Sequence, residues 1–337
     1  MRKINGVPVE AHTDLSSLTG GEVLKWDSTN TLMAWEDQDS TGFVPFHGVG
    51  SNYGFTSGGY IINTINKFSL ASSATGTDHG DLAIDMNGSS STSSATHGFN
   101  AGAAISGAAQ HISDINKFAF SSNTTASDHG DLTLPRSTAA GSSSTTDGYA
   151  SGGRGYADVR QNIVDKYSFS SNTTAADHGD LTEAREAAGG HTSSDSGFVS
   201  GGRPSGYSTT IDKFSFSSNV TATDHGDISA ARSGITGISS STHGFSAGGY
   251  DGSSMFNTID KFAYSSNTTA ADHGDLSGNR LNAAGSSGTD YGYTSGGFDN
   301  GWNAINVIER FAYSSNTTAS DVGDLDITVR NSVGQQY

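Results

Sequence analysis

The sequence contains no cysteine. Disulfides, thiolate catalysis and cysteine-based zinc sites are therefore excluded. Proline is nearly absent, at 4 of 337 residues, and basic residues are few, with 17 Lys and Arg against 34 Asp and Glu. The formal charge of −17 leaves no basic stretch that could track phosphates, so nucleic acid is not expected as a partner. No run approaches the roughly 20 apolar residues of a membrane helix, so membrane insertion is not expected. The N-terminal MRKINGVPVEAHTDL has no apolar h-region, so no signal peptide is expected and synthesis in the cytoplasm is.

What the chain has in abundance is small residues, including 45 glycines. They fall into a period. Gly-Asp-Leu or Gly-Asp-Ile begins at Gly80, Gly130, Gly179, Gly226, Gly274 and Gly323, in steps of 50, 49, 47, 48 and 49 residues. A fixed period of this size means one supersecondary unit repeated in a stack or a ring.

Each unit divides into four short strands. The first is small and polar, as in Ala139–Ser144 and Ala283–Ser287, and suits a crowded centre. The second runs from Gly-aromatic to Gly-Gly, as in Gly148-Tyr149 to Gly152-Gly153 and Gly244-Phe245 to Gly248-Gly249; the copy at Gly102-Ala103 departs from this. The third alternates, as in Ile211-Asp-Lys-Phe-Ser-Phe216. A Ser-Ser-Asn-Thr-Thr turn leads to the fourth, Ala-x-Asp-His-Gly-Asp-Leu, whose Asp and Gly suit an outer edge. Six units of four antiparallel strands predict an all-β, six-bladed β-propeller over residues 46–337, with residues 1–45 as a separate attachment or oligomerisation segment.

An Arg follows the landmark glycine by six residues at Arg136, Arg185, Arg232 and Arg280. The first copy lacks it before a strand expected at 46–52, and the tail carries Arg330. The segment 327–337 is therefore expected to return to the first blade and close the ring, which removes a free edge.

The order Arg, small strand, aromatic-x-x-Gly-Gly, Ile-Asp-Lys-Phe resembles the kelch repeat over about residues 46–330. That resemblance implies a propeller and no particular activity. The kelch tryptophan of the last strand is missing, and Asp-His-Gly-Asp stands near its place.

In the N-terminal segment, Leu15 to Glu36 reads as a hairpin turning at 27–30. It resembles an element of bacteriophage tail-fibre and other virion proteins. Val23, Leu24, Trp26 and Trp35 are too few to form a core alone and would serve attachment to other virion proteins or homo-oligomerisation.

Asp-His-Gly-Asp offers metal-ligand and acid–base groups, at Asp78, Asp128, Asp177, Asp224 and Asp272 onwards. A catalytic site occurs once, whereas this cluster occurs on every blade and the sixth copy carries Val322 instead of His. The expected role is a hydrogen-bonded edge device, with no metal, no cofactor and no enzymatic activity. Asn123, Asn172, Asn219, Asn267 and Asn316 match the glycosylation pattern, but all occupy the same repeat turn. A copper-radical oxidase on a kelch propeller would need a Cys cross-linked to Tyr, which this chain cannot supply.

The loops after the double glycines vary most. Loops on a rigid scaffold carry binding, so Arg154, Tyr156, Arg203, Tyr207, Tyr250, Phe298 and Trp302 are the ligand-binding candidates, with Arg160 and Met255 beside them. Arg and aromatics suit carbohydrate or protein contacts. The expected function is a non-enzymatic virion protein, a phage tail fibre or tail-associated adhesin binding a host-surface glycan or protein. The alternatives are a capsid decoration or head-fibre protein, and a polysaccharide-degrading propeller enzyme.

Overall fold

The computed structural model describes residues 52–73, 75–105 and 110–336, together with the backbone of four short strands before residue 38. The chain divides into two compact units, Met1–Pro45 and Phe46–Tyr337. In the first, Glu22–Asp27 pairs antiparallel with Leu32–Asp37, the hairpin predicted for this segment. The side chains of Val23, Leu24, Trp26 and Trp35 lie outside the described residues.

The second unit is a six-bladed β-propeller of four-stranded antiparallel blades. Blade 3 shows the plan, from inner to outer strand: Ala140–Ser143, Asp147–Ser151, Ile163–Ser168, Ala176–Asp180. Blade 1 is the exception in connectivity. Its second strand, Tyr53–Gly59, is flanked on the axis side by Val333–Gln336 from the far end of the chain. The predicted closure by the tail is present over Val333–Gln336, but its expected start is too early, because residues 327–329 still belong to the outer strand of blade 6, Ser320–Val329. The strand expected at 46–52 does not fill that place, and 46–51 lie outside the described residues. The polar Gln335 fixes the seam. It is fully buried, accepts from Ser57 Oγ at 3.0 Å and donates to Asn100 Oδ1 at 3.0 Å, so the last strand bonds blades 1 and 2.

The core lies between blades, because each sheet buries both faces. Ile211 packs toward blade 5, while Phe214 and Phe216 pack toward blade 3. In five blades the second-strand aromatic stacks on an aromatic of the next blade; in the sixth, Tyr293 instead donates its hydroxyl to the Leu70 carbonyl of blade 1. Tyr149 lies on Phe216 and Phe198 on Tyr264, both with centroids 4.7 Å apart.

Small residues at the axis have a steric cause. A Cβ on Gly190 would stand 2.2 Å from the Gly141 carbonyl oxygen, and one on Gly237 would stand 2.2 Å from that of Gly190. Inner strands approach so closely that a side chain there has no room. At one end of the axis, six residues form a closed collar of backbone hydrogen bonds. Thr138 donates to Gly88, Gly88 to Asn331, Asn331 to Asn282, Asn282 to Gly234, Gly234 to Ala187, and Ala187 to Thr138, over 2.5–3.2 Å. All six residues have φ between 53° and 65°. Only two are glycine, and Asn tolerates this region better than Thr or Ala.

The repeat arginines are buried and paired with the acid of the third strand: Arg136 with Asp165 at 2.8 Å, Arg185 with Asp212, Arg232 with Asp260 at 3.0 Å and Arg280 with Glu309 at 2.7 Å. In blade 2 the Arg position holds Met86 and the acid position Asn116; in blade 1 they hold Val329 and Asn66. All four of these residues are buried. Arg330 therefore lies one residue beyond the structural arginine position.

Candidate loop-face binding site

The register places the two ends of the propeller apart. Gln336 pairs with Gly54 and Val333 with Ser57, while Gly59 pairs with Ile62 beside the double-glycine loop. Asn52 and Gln336, the first and last described residues of the propeller, thus lie at the end opposite the double-glycine loops.

Asp-His-Gly-Asp has structural partners at every copy. The His Nε2 of His79, His129, His178, His225 and His273 meets a third-strand carbonyl of the next blade at 2.8–3.0 Å. The first Asp accepts from the backbone N–H of the Gly, as Asp128 does from Gly130 at 3.0 Å. The turn asparagines donate to the same segment of the preceding blade, as Asn219 does to the Asp177 carbonyl at 3.0 Å. Gly130 has φ 104°, and a Cβ there would stand 2.5 Å from the Thr173 carbonyl oxygen. Burial pushes the His79, His129 and His273 imidazoles below the usual value, which favours the neutral form. The sixth copy needs no His, because Val322 joins an apolar cluster with Phe68 and Leu70 at the seam. Among the described residues, no group of three or more His, Asp and Glu converges as metal ligands would.

The recurrent Lys of the third strand lies over the second-strand aromatic. Lys213 Nζ is 5.4 Å from the Phe198 ring centre and Lys261 Nζ 5.5 Å from that of Phe245. These contacts hold Lys stems on the sheet and are repeated around the ring.

The axis is lined by Gly, Ser, Ala and a few other uncharged residues. No carboxylate borders these axial cavities.

The variable loops divide into two arcs. In blades 3 and 4 the residue after the double glycine is Arg154 or Arg203. Arg154 Nε stands 3.4 Å from Glu186 Oε2 and Arg160 Nη2 stands 3.1 Å from Oε1, so a buried carboxylate holds both guanidiniums. Tyr156 occupies a 3₁₀ turn, Tyr156–Asp158, and is 81% exposed. Arg203 is exposed and pairs through its backbone with Glu186. Met255 is buried.

In blades 5, 6 and 1 the same position carries Tyr250, Phe298 and Tyr60. The structure joins these through edge contacts. Tyr207 meets Tyr250 with centroids 6.3 Å apart, Tyr250 meets Trp302 at 5.5 Å, and Trp302 meets Phe298 at 5.8 Å. Arg330 then spans Phe298 and Tyr60, its guanidinium carbon 5.1 Å and 4.3 Å from their ring centres. Four of the seven predicted residues, Tyr207, Tyr250, Phe298 and Trp302, are therefore contiguous. Arg154, Tyr156 and Arg203 are not part of this arc. Tyr60 and Arg330 extend it and were not predicted as ligand residues, although Tyr60 follows Gly58-Gly59 as Tyr250 follows Gly248-Gly249.

The arc rests on short constrained loops. Asp299 Oδ1 accepts from the backbone of Asn303 at 2.9 Å, from the Asn303 side-chain amide at 3.2 Å and from the backbone of Gly301 at 2.8 Å, which holds its carboxyl below the usual range. Within that turn Trp302 takes φ 62° and is 53% exposed. Asp251 likewise accepts from Ser254 and Ser253, both at 2.8 Å.

No protein-family model matches the chain, and no curated protein matches its sequence.

Proposed function

We propose that the protein is a non-enzymatic binding propeller of a phage virion, a tail fibre or tail-associated adhesin that meets the host surface through its loop face. The observation that carries this reading is the aromatic arc. It joins loops of four blades on a scaffold whose other polar repeats are spent on holding blades together. A rigid frame with pre-formed aromatic loops is the economy of a binding protein. Uncharged axial cavities favour binding over the polysaccharide-degrading alternative, which would need convergent carboxylates. The virion assignment comes from the N-terminal resemblance, and the Arg and double-glycine pattern supports a kelch-like reading of the blades.

The test is retention of the full-length chain on bacterial surface polysaccharides, with reducing ends assayed in parallel. Retention without new reducing ends is expected. Steady release of reducing ends would overturn the non-enzymatic reading.

A further inference from the structure

Resting on that binding reading, we infer that the loop face takes a carboxylate-bearing polysaccharide, with sugar rings against the arc of Tyr250, Trp302, Phe298 and Tyr60 and an acid group at Arg330. The first argument is shape. The arc is a single file of rings crossing three blades, with neighbours 5.5–5.8 Å apart along Tyr250, Trp302 and Phe298. That step is comparable to one hexopyranose in a linear chain. Aromatic faces carry negative quadrupole density, which attracts the polarised C–H groups of a sugar ring. Trp302 at 53% and Tyr60 at 38% leave ring surface exposed to such a partner.

The second argument is strain. A Trp at φ 62° is an outlier for a bulky side chain. The Asp299 turn over-determines that backbone through its two amide bonds. Strain maintained at an exposed aromatic is a feature of ligand clamps.

The third argument is charge. The structural arginines Arg136, Arg185, Arg232 and Arg280 each face a buried acid, and Arg154 and Arg160 share Glu186. Among the described residues Arg330 has no ion-pair partner, in a protein of formal charge −17. Its guanidinium is held in place by two rings and keeps hydrogen-bond donors for a carboxylate. The Asp251 and Asp299 carboxylates of the neighbouring loops accept from their own loop amides and remain anionic, so the acid group of the ligand is placed at Arg330 and not along the rest of the arc. A protein partner would favour a broad patch over a file of rings, so the polysaccharide is preferred.

The experiment uses the full-length chain and immobilised oligogalacturonate, alginate and polysialic acid, with dextran and pullulan as neutral probes. Binding to at least one acidic polymer is expected, with weaker binding to the neutral ones. Arg330→Gln should weaken acidic binding by about tenfold or more and erase the acid preference, whereas Arg330→Lys should retain part of it. Trp302→Ala should weaken acidic and neutral binding alike, Trp302→Phe less so, and Tyr156→Ala should change neither. Unaltered melting curves identify variants that keep the fold. Binding to none of the acidic polymers, equal binding to neutral ones, or indifference to both Arg330 variants would overturn the inference. If the chain still adheres to bacterial cells, and protease treatment of those cells abolishes it, the ligand class is wrong while the adhesin reading stands. If it adheres to no cell, the adhesin reading fails as well.

Discussion

Blades 3 to 6 and blades 1 and 2 fill the same interior position with different chemistry. The former bury an Arg against Asp or Glu, and the latter bury Met86 and Asn116, or Val329 and Asn66, at the equivalent positions. Where the cation is lost, the anion is lost with it. Taking charges out of water costs several kcal/mol per ion, and only a well-bonded partner offsets this. The backbone role survives the exchange: Asn116 Oδ1 still accepts from Ala83 at 2.9 Å, as Asp165 does from Thr133 at 2.8 Å. The comparison teaches that the carboxylate's hydrogen-bonding duty is common to the blades, while its charge is tied to the arginine.

The largest effect is expected from removing the tail strand of blade 1. Truncation after Ser332 deletes Val333–Gln336, the inner strand of that blade, and exposes the Tyr53–Gly59 edge together with the bonds of Gln335. Loss of a single cooperative thermal transition by circular dichroism is the expected result, since the disruption rivals the roughly 5–15 kcal/mol stability of a whole domain. A truncated chain that melts as the parent does would show that closure is dispensable.

Next comes the ion pair itself. Arg232→Met leaves Asp260 buried without a cation and is expected to cost about 3–5 kcal/mol in urea unfolding. Adding Asp260→Asn, which copies blade 2, should recover most of that loss. If the double variant is no better than the single one, charge matching does not explain the difference between the blades.

A smaller effect, dependent on pH, separates His191 from Gln335, which occupy the same inner-strand position in blades 4 and 1. Burial pushes the His191 imidazole down to about 4 from an ordinary 6.5. Its folded form binds fewer protons than its unfolded form. Its contribution is present above pH 6.5 and is lost as pH falls toward 4, on the order of 3 kcal/mol across that window. His191→Ser, the residue type of Ser142 in blade 3, should flatten this part of the stability–pH curve. An unchanged slope would assign the acid sensitivity to other groups.

The architecture was legible because the period survives in Gly-Asp-Leu, Gly-Gly and Ile-Asp-Lys-Phe, which mark strand ends and close backbone approach. The Arg at position six was visible as a landmark, but its partner was not, because Asp212 lies 27 positions beyond Arg185 and only the fold brings the two together. The parallel change from Arg to Met86 and Asp to Asn116 was the available signal. For the loop face, composition pointed to the right kind of residue in the right loops. It could not show that Glu186, three blades from Tyr60, claims Arg154 and Arg160. Nor could it show that Arg330 lies across the aromatics, since that contact joins residues 270 positions apart in sequence.

The collar at the axis has a consequence for how such a gene can change. Its six hydrogen bonds run head to tail with no first member, so the fold does not record where translation starts. New termini opened in any Ser-Ser-Asn-Thr-Thr turn, with the old ends joined, should give the same ring. A duplication or deletion of one repeat, by contrast, must re-form the collar with seven or five members. Small in-frame loop changes are therefore open to variation, while the number of repeats is fixed by the circle they close.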